Sequence, residues 1–254
     1  IGNHTDYNEG YVMAAAINLG VTIQGAPRED GQVCLKSHGF GEETFSLSSI
    51  VKNPHSPWSN YCKGVLLQLQ QAGAPLGGFD AEISSAIPSG AGMASSAAVE
   101  VAILLLAQKL FQFEFGDLID PSVRMSLAVM CRAAENDFVG VKTGILDQAT
   151  SLIGKKDHAI FLDCRSNEAE LIPLHSETCF VVCHTGVKHM LVSSKYNARY
   201  NECAEAVKML EINKIPGKAL RDISSQDVRQ NAGIFRTHVF QRAMHVTSEN
   251  ERVL

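Results

Sequence analysis

The sequence predicts an α+β protein in two parts, strand-rich over residues 1–180 and helical over 181–254. Three observations carry this. Residues 79–87 alternate, with Phe79, Ala81, Ile83 and Ile87 on one face and Asp80, Glu82 and Ser84 on the other, the period of a strand with one wet face. The run Val99 to Ala107 behind it is too long and too rich in Ala and Leu for a strand, and reads as a largely buried helix. From Val187 the character changes toward helices over about 197–210 and 226–245, separated by a polar interval with Pro216 and Gly217.

Taken in order, residues 1–10 form a polar loop. A strand is expected over 11–23, ended by a turn at Gly25-Ala26-Pro27, with short strands over 32–37 and 44–47. Pro54 and Pro57 bracket a loop, and residues 58–71 have helical spacing with Tyr61, Val65, Leu66 and Leu69 on one side. After the strand over 79–87 and its helix, Asp120-Pro121 opens a helix over 122–134, since Asp caps and Pro suits the first turn. Residues 135–150 are polar and punctuated by glycine. Strands are expected over 159–163, 170–174 and 179–184.

Composition narrows the function classes. A chain of 254 residues has ample core for one large domain or two ordinary ones. A net charge of −5 leaves no basic patch to follow nucleic acid, and the longest apolar helix carries Glu100 and is too short to cross a bilayer. Seven Cys without Cys-x-x-Cys spacing read as reduced thiols of a cytosolic protein. Cys179, Cys183, His184 and His189 invite a zinc reading, but the apolar residues between the two Cys favour buried core positions instead. The chain starts inside what looks like a motif, so it is expected to be an internal fragment.

Three polar stretches carry the chemistry. In residues 88–96, Gly90 and Gly92 let backbone approach a phosphate, and the following helix N-terminus offers unpaired N–H groups and a positive dipole end. Ser95 and Ser96 suit a helix cap or a metal. A plain cap explains this loop as well as a phosphate does, and Gly-Lys-Ser/Thr is lacking. The first stretch offers His4, Thr5 and Asp6 for hydroxyl recognition. The third offers Glu135 and Asp147, as metal ligand and as base, although a solvated helix end and a cap account for either alone. Together the set matches phosphoryl transfer to an alcohol: positioned acceptor, held phosphates, Mg²⁺ and a carboxylate beside the nucleophile.

These stretches resemble one family. Ile-Gly-Asn-His-Thr-Asp-Tyr-Asn-Glu-Gly at 1–10 is similar to the galactokinase signature Gly-Glu-His-Thr-Asp-Tyr-Asn, within the GHMP kinase superfamily. Residues 88–98 resemble that family's Pro-x-Gly-x-Gly-Leu-Ser-Ser-Ser-Ala, and Glu135 with Gly144-Ile145-Leu146-Asp147-Gln148 its Glu…Cys-Gly-Ile-Met-Asp-Gln region. Trp58, Tyr61, residues 162–166 and 194–196, and Glu249-Asn250-Glu251-Arg252-Val253 echo it further. The resemblance implies a GHMP kinase fold, with an N-terminal domain like part of a ribosomal protein and a ferredoxin-like C-terminal domain. It implies ATP-dependent phosphorylation of the anomeric hydroxyl of galactose. Gly90, Ala91, Gly92, Met93, Ala94, Ser95 and Ser96 would then wrap ATP, Ser96 and Glu135 would bind Mg²⁺, and Asp147 would be catalytic. Asn3, His4, Thr5, Asp6, Gly144 and Tyr196 would contact the sugar.

The departures are informative. Asn3 stands where galactokinases carry Glu, which removes a negative charge, adds a donor and would tolerate a carboxylate at C6 of the sugar. Galactose is the expected substrate, with galacturonate or N-acetylgalactosamine behind it. Ala94 replaces a Ser and Thr143 a Cys. The family's catalytic Arg would precede Ile1 and its third, glycine-rich motif would follow Leu254, so the stretch by itself is expected to be inactive. A galactose and ATP sensor is the rival reading, but the intact Ser95-Ser96-Ala97-Ala98 and Asp147 favour an enzyme. A mevalonate or homoserine kinase is disfavoured by His4-Thr5-Asp6-Tyr7. The expected partners are ATP and a galactose-like sugar, without nucleic acid or membrane, for a cytoplasmic monomer.

Overall fold

One stretch of sequence, residues 11–28, feeds two different sheets. A computed structural model describes residues 1–88, 90–183 and 196–254. In it β1 (Tyr11–Ala14) pairs antiparallel with β6 (His158–Asp163), and β6 with β7 (Glu168–Pro173). β2 (Val21–Arg28) is instead the edge of a second sheet, ordered β2-β5-β3-β4, with β3 (Gln32–Ser37), β4 (Gly41–Ser46) and β5 (Gly78–Ser85). The strand expected over 11–23 is therefore two. The turn expected at Gly25-Ala26-Pro27 lies inside β2, where Pro27 registers with Phe79. Pro27 is tolerated because an edge strand loses no ladder bond at a missing N–H.

β5 is the strand that the alternation predicts, antiparallel to β2 and parallel to β3. Phe79, Ala81 and Ile83 are buried, while Asp80, Glu82 and Ser84 are exposed. The buried face joins α1 (Ser59–Gln71), α2 (Ser95–Phe111) and α3 (Pro121–Ala133) in one core, with Leu35, Leu66, Ile103, Leu104 and Leu127 at its centre. α3 starts as its sequence predicts, with the Asp120 carboxylate accepting the Ser122 N–H at 2.8 Å and Pro121 in the first turn. A second core lies between β1, β6, α3 and α4 (Leu146–Ile153), built on Val12, Ala128, Ile145, Ala149, Ile160 and Leu162.

A third core gathers α5 (Tyr196–Ile212), α6 (Ser225–Gln230) and α7 (Thr237–Val253) around Leu210, Leu220, Val228, Val239 and Val246. The helix expected over 226–245 is thus divided by a short 3₁₀ turn, Ala232–Ile234. Asn231 and Gly233 are poor helix formers, and Ser224 and Asp227 close a reciprocal capping box at the start of α6. The strand expected over 179–184 is absent over its described part: residues 179–183 have no regular structure. Cys179 and Cys183 are exposed rather than core, and Phe180, Val181 and Val182 are 62, 81 and 60% exposed. Ser89, His184, His189, Ser194 and Lys195 lie outside the described residues. Among the described residues, no helix is long and apolar enough to cross a membrane.

The first core is the largest store of apolar burial. Leu104→Ala, at a fully buried position of α2, is expected to cost about 2–5 kcal/mol by urea unfolding.

Candidate active site

The amino-terminal stretch folds back on itself around Thr5. This residue is fully buried, and its hydroxyl lies 2.7 Å from the Gly2 carbonyl oxygen and 2.6 Å from that of Tyr11, sharing one proton between them. Its hydroxyl is therefore spent on backbone. A short 3₁₀ turn, Asp6–Asn8, follows. His4 just before it has a left-handed backbone (φ 71°), and its Nδ1 meets the Tyr7 hydroxyl at 2.7 Å. The His4, Tyr7 and Tyr196 rings are mutually within 5.4–5.6 Å, so α5 brings Tyr196 to the amino-terminal stretch. Burial, with nearby His245, Arg242 and Arg199, pushes the His4 imidazole down to about 4, keeping it neutral. Asn3 is exposed.

Asp6 turns toward the third polar stretch. Its carboxylate occupies the space a Cβ would need on Gly144, so only glycine permits the approach. Desolvation, then the charge of Asp147, pushes Asp6 up to about 7. Asp147 sits in the first turn of α4 and makes no side-chain cap there. It keeps contact with solvent, yet the protein packed around it raises its carboxyl above the usual range by desolvation.

Glu135 is neither helix end nor solvated. After α3 the chain makes one π-helical turn, Ala134–Val139, a feature often found at functional sites, and Glu135 within it is 2% exposed. The loop behind it is closed by Asn136, whose amide bonds the Thr143 N–H and carbonyl at 2.9 and 3.2 Å. Thr143 also donates its hydroxyl toward Glu135 Oε2 at 2.9 Å, so the residue replacing the family Cys takes part in holding the carboxylate. Gln148 Nε2 donates to the same oxygen at 2.8 Å and to Glu100 Oε2 at 3.0 Å. Burial is the chief cause that brings Glu135 up to about 7, and the Ser96 hydroxyl is among the groups that oppose it.

The glycine loop presents α2 to this cluster. Gly90 and Gly92 have φ of 71° each, and Ala94 at the helix N-cap is left-handed at 56°. No side chain caps the helix. Ser95 and Ser96 lie inside its first turn rather than capping it, which leaves the leading N–H groups to a ligand. Ala91 and Met93 face an apolar cavity lined also by Ile17, Leu19, Phe180 and Val182.

Of the residues expected at the site, the fold thus joins Ser96 to Glu135, Asp6 to Gly144 and Asp147, and His4 to Tyr196. One participant escaped the sequence reading. Glu100 is fully buried one helical turn beyond Ser96, hydrogen-bonded to Gln148, and burial followed by the Glu135 charge pushes its carboxyl well up. Its signal was present: a lone charge at i+4 from Ser96 in an Ala- and Leu-rich helix.

A carboxyl whose pKa rises from 3.8 to about 7 on folding stabilises the fold fully below pH 3.8 and loses that contribution as pH climbs through 7. Ionised Asp6 is therefore a net cost at pH 8. Asp6→Asn is expected to raise Tm at pH 8 by roughly 2–4 °C, with the gain vanishing near pH 4, by scanning calorimetry.

Comparison with known proteins gives this geometry relatives. The family model for the GHMP kinases N terminal domain matches residues 60–155, and that for the galactokinase galactose-binding signature matches residues 1–27. Galactokinases of Chloroflexus aurantiacus and Roseiflexus sp. are each 38% identical over 100% of this chain, covering 64 and 63% of their own lengths. The chain thus spans just under two thirds of these relatives. The crystal structure of Lactococcus lactis galactokinase complexed with galactose superposes with a TM-score of 0.87 at 32% identity, over 100% of this chain and 65% of that one. The Methanococcus jannaschii mevalonate kinase, at 16% identity and a TM-score of 0.55 over 99% of this chain and 75% of that one, shares the fold. Over its whole length the chain is thus similar to galactokinases, and over residues 60–155 to the GHMP kinases N terminal domain.

Proposed function

We propose that this chain carries the sugar site and phosphate loop of an ATP-dependent kinase that converts galactose to galactose 1-phosphate and ADP. The observation that carries the reading is the seating of Asp6, from the galactose-binding signature, against Gly144 and beside Asp147. Asn3, His4, Asp6, Gly144 and Tyr196 contact the sugar, while Thr5 acts through the backbone it holds. The backbone of residues 90–96 receives the ATP phosphates.

Asp147 takes or orients the proton of the anomeric hydroxyl as that oxygen attacks the γ-phosphorus and the bond to the departing ADP breaks. Its raised pKa moves its proton affinity toward the operating pH. The donor set suits Mg²⁺: Glu135 Oε1 is buried without a hydrogen-bond partner, beside the Ser96 hydroxyl, a pairing of hard oxygen donors. Ser96 and Glu135 would hold the ion, which supplies charge neutralisation on the phosphate oxygens. In this reading the protein is a cytoplasmic monomer that acts on small molecules, without nucleic acid or membrane. Residues 1–180 form one domain and 181–254 belong to another, a division supported by a third core drawn almost wholly from α5 to α7.

Asn3 favours a second substrate class. An exposed neutral amide where relatives carry Glu accepts a galactose derivative with a C6 carboxylate. ADP release by the full-length protein with Mg²⁺-ATP, measured against galactose, galacturonate, N-acetylgalactosamine, glucose and mevalonate, separates these readings. Turnover with galactose supports the first, and preference for galacturonate the second. Binding of sugar and ATP without turnover would replace both with a sensor. Asp147→Asn is expected to lower kcat by about 10²–10⁴-fold while ATP affinity stays within about twofold. A matching loss of ATP affinity would make Asp147 structural.

A further inference from the structure

The motif at residues 249–253 lies outside the three polar stretches, yet its side chains reach the opposite end of the chain. Glu249, on α7 and 8% exposed, accepts at Oε1 from the backbone N–H groups of Gly2 (3.0 Å) and Asn3 (3.3 Å). Its other oxygen pairs with Arg252 at 2.7 Å. The next residue, Asn250, accepts the Tyr11 N–H at 2.7 Å, and Gly10 makes room, since a Cβ there would lie 2.6 Å from the same oxygen. One turn earlier on α7, His245 Nε2 lies 3.0 Å from the Asn3 carbonyl oxygen. One helix face therefore holds residues 2, 3 and 11, on both sides of the turn that presents His4 and Asp6.

The segment so held is strained. His4 has a φ of 71°, a conformation costly to a residue with a Cβ and kept only where the surroundings enforce it. Thr5 ties the segment to itself, through Gly2 and Tyr11. Glu249 and its neighbours tie it to the third core. Burial would raise the Glu249 carboxyl, but the two N–H groups and Arg252 hold it lowered overall, so it stays an ionised acceptor.

We propose that Glu249 is a positioning residue of the sugar site: by gripping the Gly2 and Asn3 amides it fixes where Asn3, His4 and Asp6 stand, and α7 thereby sets sugar affinity. The ligand's identity rests on the kinase reading above, whereas the grip itself does not. The test compares wild type, Glu249→Ala and Glu249→Gln in the full-length protein. Hydrogen–deuterium exchange of peptides covering residues 2–13 and 90–111 is measured first, then KM for galactose, KM for ATP and kcat.

Glu249→Ala is expected to speed exchange in residues 2–13 alone. It should raise KM for galactose by about tenfold or more, the scale of lost hydrogen bonds to a charged group, with KM for ATP and kcat within about threefold. Glu249→Gln retains an acceptor oxygen and should recover most of both effects. Unchanged exchange at residues 2–13 would overturn the proposal whatever the sugar does. Faster exchange with an unaltered galactose KM, or equal losses for galactose and ATP, would also overturn it. Wild type that turns over none of the sugars would refute the kinase reading, and the exchange data would still decide whether Glu249 holds the segment.

Discussion

Like charges in a low-dielectric interior repel, and this fold is built around such a concentration. Asp6, Glu100, Glu135 and Asp147 all carry raised pKa values, chiefly through desolvation by the protein packed around them, although Asp147 keeps contact with solvent. Only a few donors offset this. Gln148 spans Glu100 and Glu135 with one amide nitrogen, and Thr143 adds a hydroxyl. Oxygens of Glu100 and Glu135 remain buried without partners. A chain optimised for stability alone would replace such groups with apolar ones. Their persistence makes sense where an incoming cation and its phosphates complete the charge balance, so that the fold holds acceptors in place before the ligand arrives.

The cores explain how distant stretches reach this point. α2 is set by the four-stranded sheet and the first core, and it delivers both Ser96 and Glu100. α3 belongs to the first and second cores together, and the π turn at its end swings Glu135 inward. β1 is joined to the site side by its register with β6 and by the Cys164 N–H bond to the Gly10 carbonyl at 2.9 Å. The site thus sits where the three cores adjoin, and no single element could supply it.

Elements dictated by local pattern were legible in the sequence. β5 follows from alternation, α2 from length and Ala/Leu content, and α3 from Asp120-Pro121, because each signal is settled within a few residues. The division between β1 and β2 was not, since the choice of sheet depends on partners at residues 160–163 and 78–85. Pro27 misled because a proline reads as a turn unless one knows the strand is an edge. At the site, motif spacing named Ser96, Glu135 and Asp147. It could not tell that Thr5 spends its hydroxyl internally or that Glu100 is buried, because exposure is a property of the assembled cores.

The polar stretches are anchored to different bodies of structure. The glycine loop and the Glu135 turn rest on the first two cores, whereas the amino-terminal stretch leans on elements near the third. Arg221 grips Asp163 and Tyr11 and donates to the Glu9 carbonyl, and Arg165 bridges Glu9 and Asp222 at 2.7 and 2.8 Å. These partly exposed ion pairs are individually weak. As a connected set they tie residues 9–11 to the 3₁₀ turn Leu220–Asp222, which belongs to the third core. Asp6 then carries the amino-terminal stretch directly against Gly144 and the charge of Asp147. Any small displacement of that stretch relative to the first two cores is felt there as a change in carboxylate spacing. The same contact that makes this cluster electrostatically costly is therefore the one that registers the amino-terminal stretch against the first two cores.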